Sequence, residues 1–142
     1  DVFRRNIFYH AGTNGSARTV LVDWSFAGIA ALGEEIAPLV AASVSFIEVP
    51  VTDIRQLDDI VLDAYLDGLR DAGWRGDPEP VRDAYVATVG LRYGVGPVRF
   101  IVPRLLNDSF TPVIEQMLGR PIDEITANLS AFYDWLASRL AA

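Results

Sequence analysis

Residues 1–28 read DVFRRNIFYHAGTNGSARTVLVDWSFAG. An acidic residue, Asp1, is followed five positions on by Asn6, then by an apolar run, a polar turn, a second apolar run and Asp23-Trp24. The runs Asn6–His10 and Thr19–Asp23 flank the turn AGTNGSA. Asn14-Gly15 in that turn favours positive φ, so the pattern predicts an antiparallel hairpin. Pairing in about that register brings Asn6 and Asp23 to the same end of the ladder. Singly, each polar residue has an ordinary use. An Asp at a chain start is solvated, an Asn before a strand is a turn residue, and an Asp after one is a cap. Together, at this spacing, Asp1, Asn6 and Asp23 become the candidate chemical groups.

The pattern D-x-x-x-x-N, strand, turn, strand, D resembles the catalytic loop and metal-binding loop of the kinase-like phosphotransferases. Within that superfamily it is most similar to the aminoglycoside and choline kinase group, which carries Asp-Trp or Asp-Phe where protein kinases have Asp-Phe-Gly. The resemblance implies an ATP- and Mg2+-dependent transfer to a hydroxyl of an aminoglycoside-, choline- or sugar-like small molecule. It implies Asp1 as the catalytic group and Asn6 and Asp23 as metal ligands. The residue types suit that chemistry. Phosphoryl transfer needs a group to orient and deprotonate the attacking hydroxyl, plus oxygen ligands for magnesium beside the phosphates. Magnesium takes carboxylate and amide oxygens and keeps several waters. Glu35, in Glu35-Ile36-Ala37, stands where the family has an Asp that tethers the catalytic loop. The resemblance also implies that the chain starts in mid-protein, after an ATP-binding lobe that supplies a lysine and its glutamate partner. All twelve basic residues here are arginine. The isolated chain is therefore expected to be inactive.

A length of 142 residues suits one domain with a proper core, and 51% of the residues are apolar. The formal charge of -7 argues against a nucleic-acid partner, which calls for a basic patch. With no cysteine, disulfides, thiolate metal sites and Cys nucleophiles are excluded. His10 is the sole histidine and sits beside the hairpin turn, a poor place for a Ser-His-Asp triad. No stretch approaches the roughly 18 uncharged apolar residues of a membrane span. No signal peptide is evident, so a cytoplasmic location is expected.

Beyond the loop Ser25–Gly33, the segment GEEIAPLVAASVSFI predicts a helix apolar on nearly every side and buried at the domain centre. Next comes a helix capped by Thr52 or Asp53, with Ile54, Leu57, Ile60, Val61, Ala64, Tyr65 and Leu69 facing inward. Asp58, Asp59, Asp63, Asp67, Arg70 and Asp71 form its opposite, solvated face. By the resemblance, acidic residues there can meet a cationic substrate, which makes Asp59 and Asp63 candidate substrate contacts. Val81, Ala84, Tyr85, Thr88, Leu91 and Arg92 predict a third helix, which Gly90, Gly94, Gly96 and Pro97 distort or break. VGPVRFIVPRLL reads as a kinked helix or two short ones, and Tyr93 is a further candidate substrate contact. A last amphipathic helix from Pro121 carries the stripe Ile122, Ile125, Leu129, Phe132, Leu136 and Leu140, with Tyr133 and Trp135 at its edges.

The fold class is thus α+β, mainly α: an N-terminal hairpin and about five helices in a single domain, 1–142. That order resembles the C-terminal lobe of a protein-kinase-like fold. A different class of function stands beside the enzyme: a non-catalytic helical module whose acidic helix Thr52–Asp71 meets a basic protein partner. Neither the phosphoryl acceptor nor the oligomeric state is legible at this level.

Overall fold

The computed structural model describes residues 2–12, 16–25 and 27–141. Strands β1 (Ile7–Ala11) and β2 (Ala17–Leu21) pair antiparallel in the register Ile7↔Leu21 to Ala11↔Ala17. A chain without regular structure leads to a 3-10 turn, Glu34–Ile36, and to α1 (Ala37–Ser45). Then follow α2 (Ile54–Asp71), α3 (Glu79–Thr88), a π-helical segment (Val89–Val95), α4 (Gly96–Leu105), α5 (Thr111–Leu118) and α6 (Ile122–Leu140). With α3, the π segment and α4 taken as one bent rod, five helical bodies follow the hairpin, as the sequence pattern predicts. No helix among the described residues is long and apolar enough to cross a membrane.

The core is built on α1. Ala37, Val40, Ala41 and Val44 have no exposed surface. Around them close Leu62 and Leu66 of α2, Val81 and Tyr85 of α3, and Phe132, Trp135 and Leu136 of α6. Each large apolar side chain buried this way contributes about 1.5–3 kcal/mol, an upper range because unfolded chains already bury part of it. The carbonyl of Val44, in the last turn of α1, accepts a hydrogen bond of 2.9 Å from the buried Asn128 side chain. That bond satisfies one of the carbonyls a helix end leaves open.

Three assignments from the sequence change here. The buried line of α2 is Ile54, Asp58, Leu62 and Leu66, whereas Ile60 and Ala64 face solvent. The apolar arc of this helix is wide enough to be centred on either side, and packing against α1 chose the 54/58/62/66 edge. Asp58 therefore leaves the solvated face assigned to it and is only 4% exposed. Its Oδ1 accepts a 2.5 Å hydrogen bond from the Tyr85 hydroxyl. Its Oδ2 lies 3.0 Å from Arg139 Nε, close enough for an ion pair though not aligned as a hydrogen bond. In α6, Trp135 is buried rather than at the edge, and Leu140 is exposed. The start of α2 also differs, since Val51–Asp53 forms a 3-10 turn running into the helix with no side-chain cap.

The glycines of the third helical region bend the rod without ending it. Pro97 has no N–H to donate, and the Gly96 N–H bonds five residues back to the Leu91 carbonyl. The bend is packed tightly: a Cβ on Gly94 would come within 2.8 Å of Leu136 Cδ2. At the start of α1, Gly33 has φ +102°, and a Cβ there would stand 2.4 Å from the Val81 carbonyl oxygen. Only glycine fits that approach.

Candidate functional site

The open end of the hairpin carries the metal-ligand candidates. Arg4–Asn6 forms a 3-10 turn in which the Asn6 N–H bonds the Phe3 carbonyl at 2.8 Å. The Val22 N–H then bonds the Asn6 carbonyl at 3.0 Å, one rung beyond Ile7↔Leu21. Asn6 and Asp23 consequently stand at the same end of the ladder. β1 lies one residue later than the predicted Asn6–His10 and β2 two residues earlier than the predicted Thr19–Asp23, so Asn6 faces Val22, and Asp23 lies past β2.

Asp23 has φ +60°, a left-handed conformation uncommon for any residue other than glycine and best tolerated by Asn and Asp. Its own side chain supports the turn: Oδ1 accepts from the Ser25 hydroxyl at 2.5 Å and more weakly from the Ser25 N–H at 3.4 Å. These bonds hold the Asp23 carboxyl below the usual carboxylate range. Asp23 is therefore an exposed, ionised oxygen donor at neutral pH. Among the described residues no group of three or more His, Cys, Asp or Glu side chains could enclose a metal ion. Asn6 and Asp23 by themselves offer two oxygen donors, an amide and a carboxylate, fewer than a divalent cation takes. Asp1 lies outside the described residues, as does the Asn14-Gly15 turn.

The loop that leads into Asn6 is held by residues the sequence did not single out. Arg5 Nε donates to Glu48 Oε1, and Arg4 Nη1 lies 3.9 Å from Glu48 Oε2. The Phe3 ring packs against Phe46, with centroids 6.3 Å apart. Phe46 and Glu48 flank Ile47, whose φ of +58° is a genuine outlier for a β-branched residue. This corner follows α1 directly and presents both contacts to residues 3–5. Its one signal in the sequence is the break of the apolar run at Glu48.

Glu35, the tether candidate by resemblance, joins the start of α1 to α2. Its Oε1 accepts from the Tyr65 hydroxyl, and its Oε2 accepts from the Gly33 N–H at 3.1 Å. Burial, and secondly the adjacent Glu35 carboxylate, push the Tyr65 phenol up to about 12. The folded protein thus keeps this proton through a range in which an unfolded tyrosine, titrating near 10, has lost it. The Tyr65 contribution is fully present below pH 10 and is lost as pH rises from 10 towards 12. We expect the stability difference between the wild type and Tyr65→Phe, from urea melts at pH 8 and pH 11, to shrink at the higher pH. A difference independent of pH would remove the Tyr65–Glu35 bond as its cause.

The substrate candidates separate. Asp63 is exposed and lies 4.0 Å from Arg82, while Asp59 borders a shallow depression beside Arg55 and Ser138. Tyr93 belongs to the opposite region, in the wall of a cavity of about 520 Å3 bounded by α4, α5, α6 and the end of α1. The π segment sets Arg92 and Tyr93 into this wall, and Phe3 of the Asn6 loop contributes as well. The Tyr93 hydroxyl is buried with no hydrogen-bond partner among the described residues. Burial raises its phenol, opposed in part by the neighbouring Arg92 guanidinium. The aromatic and basic residues around Arg92, Tyr93 and Arg104 signal a pocket in the sequence, whereas the apolar remainder of the lining does not, because residues from six separate segments meet there.

Comparison of the chain with protein-family models, with curated proteins and with solved structures gives no match.

Proposed function

We propose that this chain is the catalytic-loop and helical lobe of an ATP- and magnesium-dependent phosphotransferase acting on a hydroxyl of a small molecule. One observation supports the reading: Asn6 and Asp23 fall at the same open end of the hairpin, and Asp23 is an ionised carboxylate in a left-handed, self-supported turn. Backbone of that kind persists where the surrounding structure over-determines it, and it clusters at ligand sites. Asn6 and Asp23 hold the metal on this reading. Magnesium, when bound, neutralises charge on the β- and γ-phosphates.

The acceptor oxygen forms a bond to the γ-phosphorus while the bond from that phosphorus to the β–γ bridging oxygen breaks. ADP departs, and the hydroxyl proton passes to the Asp1 carboxylate. The Arg5–Glu48 and Phe3–Phe46 contacts position the segment between Asp1 and Asn6. A cytoplasmic site of action, where ATP and magnesium are available, belongs to the same proposal.

The test is calorimetry of magnesium-ATP binding to this lobe joined to an ATP-binding lobe. Asp23→Ala is expected to reduce binding beyond detection, while Asp59→Ala leaves it unchanged. Unaltered binding in Asp23→Ala removes that residue from the site. Magnesium binding that is the same with and without ATP overturns the nucleotide part of the reading.

A further inference from the structure

The cavity beside the Asn6 loop speaks to the kind of acceptor. Its volume of about 520 Å3 lies within the range of small-molecule sites, about 300–1,000 Å3. Ile101, Leu105, Ile114 and Leu129 give it an apolar floor and walls. Two cationic side chains, Arg92 and Arg104, belong to the lining, and no Asp or Glu does among the described residues. A cationic acceptor would find no counter-charge there. Moving an ammonium ion out of water without one is costly. The acidic residues of α2, which could meet a cation, line a different part of the surface.

Arg104 extends one N–H to the Phe100 carbonyl at 2.6 Å and lies over the Phe110 ring, 5.9 Å from its centroid. A guanidinium has five N–H donors, so this anchoring leaves capacity for an anion. Phe3 joins the cavity to the proposed chemistry, since it lines the cavity and its carbonyl accepts the Asn6 N–H.

We infer that this cavity is the acceptor site and that it takes an apolar-bodied hydroxy compound carrying a negative charge, such as a long-chain hydroxycarboxylate, rather than a cation. The inference rests on the phosphotransferase reading for its chemistry, but the binding it requires can be measured without nucleotide. The apolar body fills the space between α4, α5 and α6, and the anionic group pairs with Arg104. The unpartnered Tyr93 hydroxyl is a further donor at the wall.

Met117, the sole methionine, is in the lining and supplies a reporter. The 142-residue chain, labelled at the methionine methyl, is titrated with 12-hydroxydodecanoate below its micellar concentration, with choline and 1,12-dodecanediol in parallel. The Met117 methyl resonance is expected to shift saturably with the hydroxycarboxylate, at least about tenfold more weakly with the neutral diol, and not with choline. Arg104→Glu, at an exposed position that should leave the fold intact, weakens hydroxycarboxylate binding at least about tenfold, the size of one charge-assisted hydrogen bond. Arg104→Lys recovers part of the loss. A shift with choline at the same concentrations overturns the inference. So does the absence of a shift with 12-hydroxydodecanoate, or binding indifferent to Arg104→Glu. Saturable binding combined with unaltered magnesium-ATP binding in Asp23→Ala would leave the cavity assignment standing and sink the phosphotransferase reading. Asp23-dependent nucleotide binding with choline alone reaching Met117 would do the reverse.

Discussion

Asp58→Ala is expected to cost the fold about 3 kcal/mol. Removing one partner of a buried ion pair leaves the other charge uncompensated, at about 3–5 kcal/mol. The lower end applies because the Arg139 side chain keeps 30% of its exposure and can draw water. The Tyr85 hydroxyl, on a tyrosine with no exposed surface, loses its acceptor at the same time. Asp58→Asn preserves the volume and an acceptor for Tyr85 but not the charge, so it should cost less than Asp58→Ala. Adding Arg139→Met to Asp58→Ala should recover part of the loss, since no unpaired charge then remains. Urea unfolding of the four proteins decides it. A cost below about 1 kcal/mol for Asp58→Ala, the range of an exposed pair, would mean that the three groups do not lock α2, α3 and α6 together. The lock matters for the cavity, because α6 supplies Leu129 and Tyr133 to its wall.

Asp1→Ala is expected to lower turnover at least ~10²-fold, the low end for a positioned acid–base group. In barrier height that is about 2.7 kcal/mol or more. The measurement is steady-state phosphoryl transfer by this lobe joined to an ATP-binding lobe. Magnesium-ATP affinity should stay within about twofold of the wild type, because the role proposed for Asp1 is on the acceptor and not on the nucleotide. That separates it from Asp23→Ala, whose loss is in nucleotide binding. Near-wild-type turnover in Asp1→Ala would remove the residue from the reaction. Unchanged turnover at saturating nucleotide with lost nucleotide affinity would move Asp1 from the acceptor to the nucleotide.

The contrast between Glu35 and Glu48 shows where reading the chain stops. Both are glutamates at the edges of the apolar run that becomes α1, Glu35 as the second of the pair Glu34-Glu35. Glu35 drew notice because a motif passes through it, yet its carboxylate is taken by Tyr65 and Gly33. Glu48 sits in no motif, and a turn through Ile47 brings it to Arg4 and Arg5. An ion pair spanning more than forty residues leaves no trace in local composition.

The sequence by itself determined the class of the fold, the presence of the hairpin, the burial of α1 and the irregular helix around Gly94 and Pro97. Each of these rests on local physics: the period of apolar residues, the φ preference of Asn-Gly, the missing N–H of proline. Pairing with period two is also enough to bring Asn6 and Asp23 to one end of the ladder. Tertiary structure decided which edge of α2 turns inward, and with it whether Asp58 is a solvated charge or a buried one. It decided the partners of Asp58, Glu35 and Glu48, and it assembled a cavity from six segments. Those outcomes depend on which faces meet when α1, α2 and α6 close on one another, and an amphipathic arc wider than the contact it makes leaves that choice to packing.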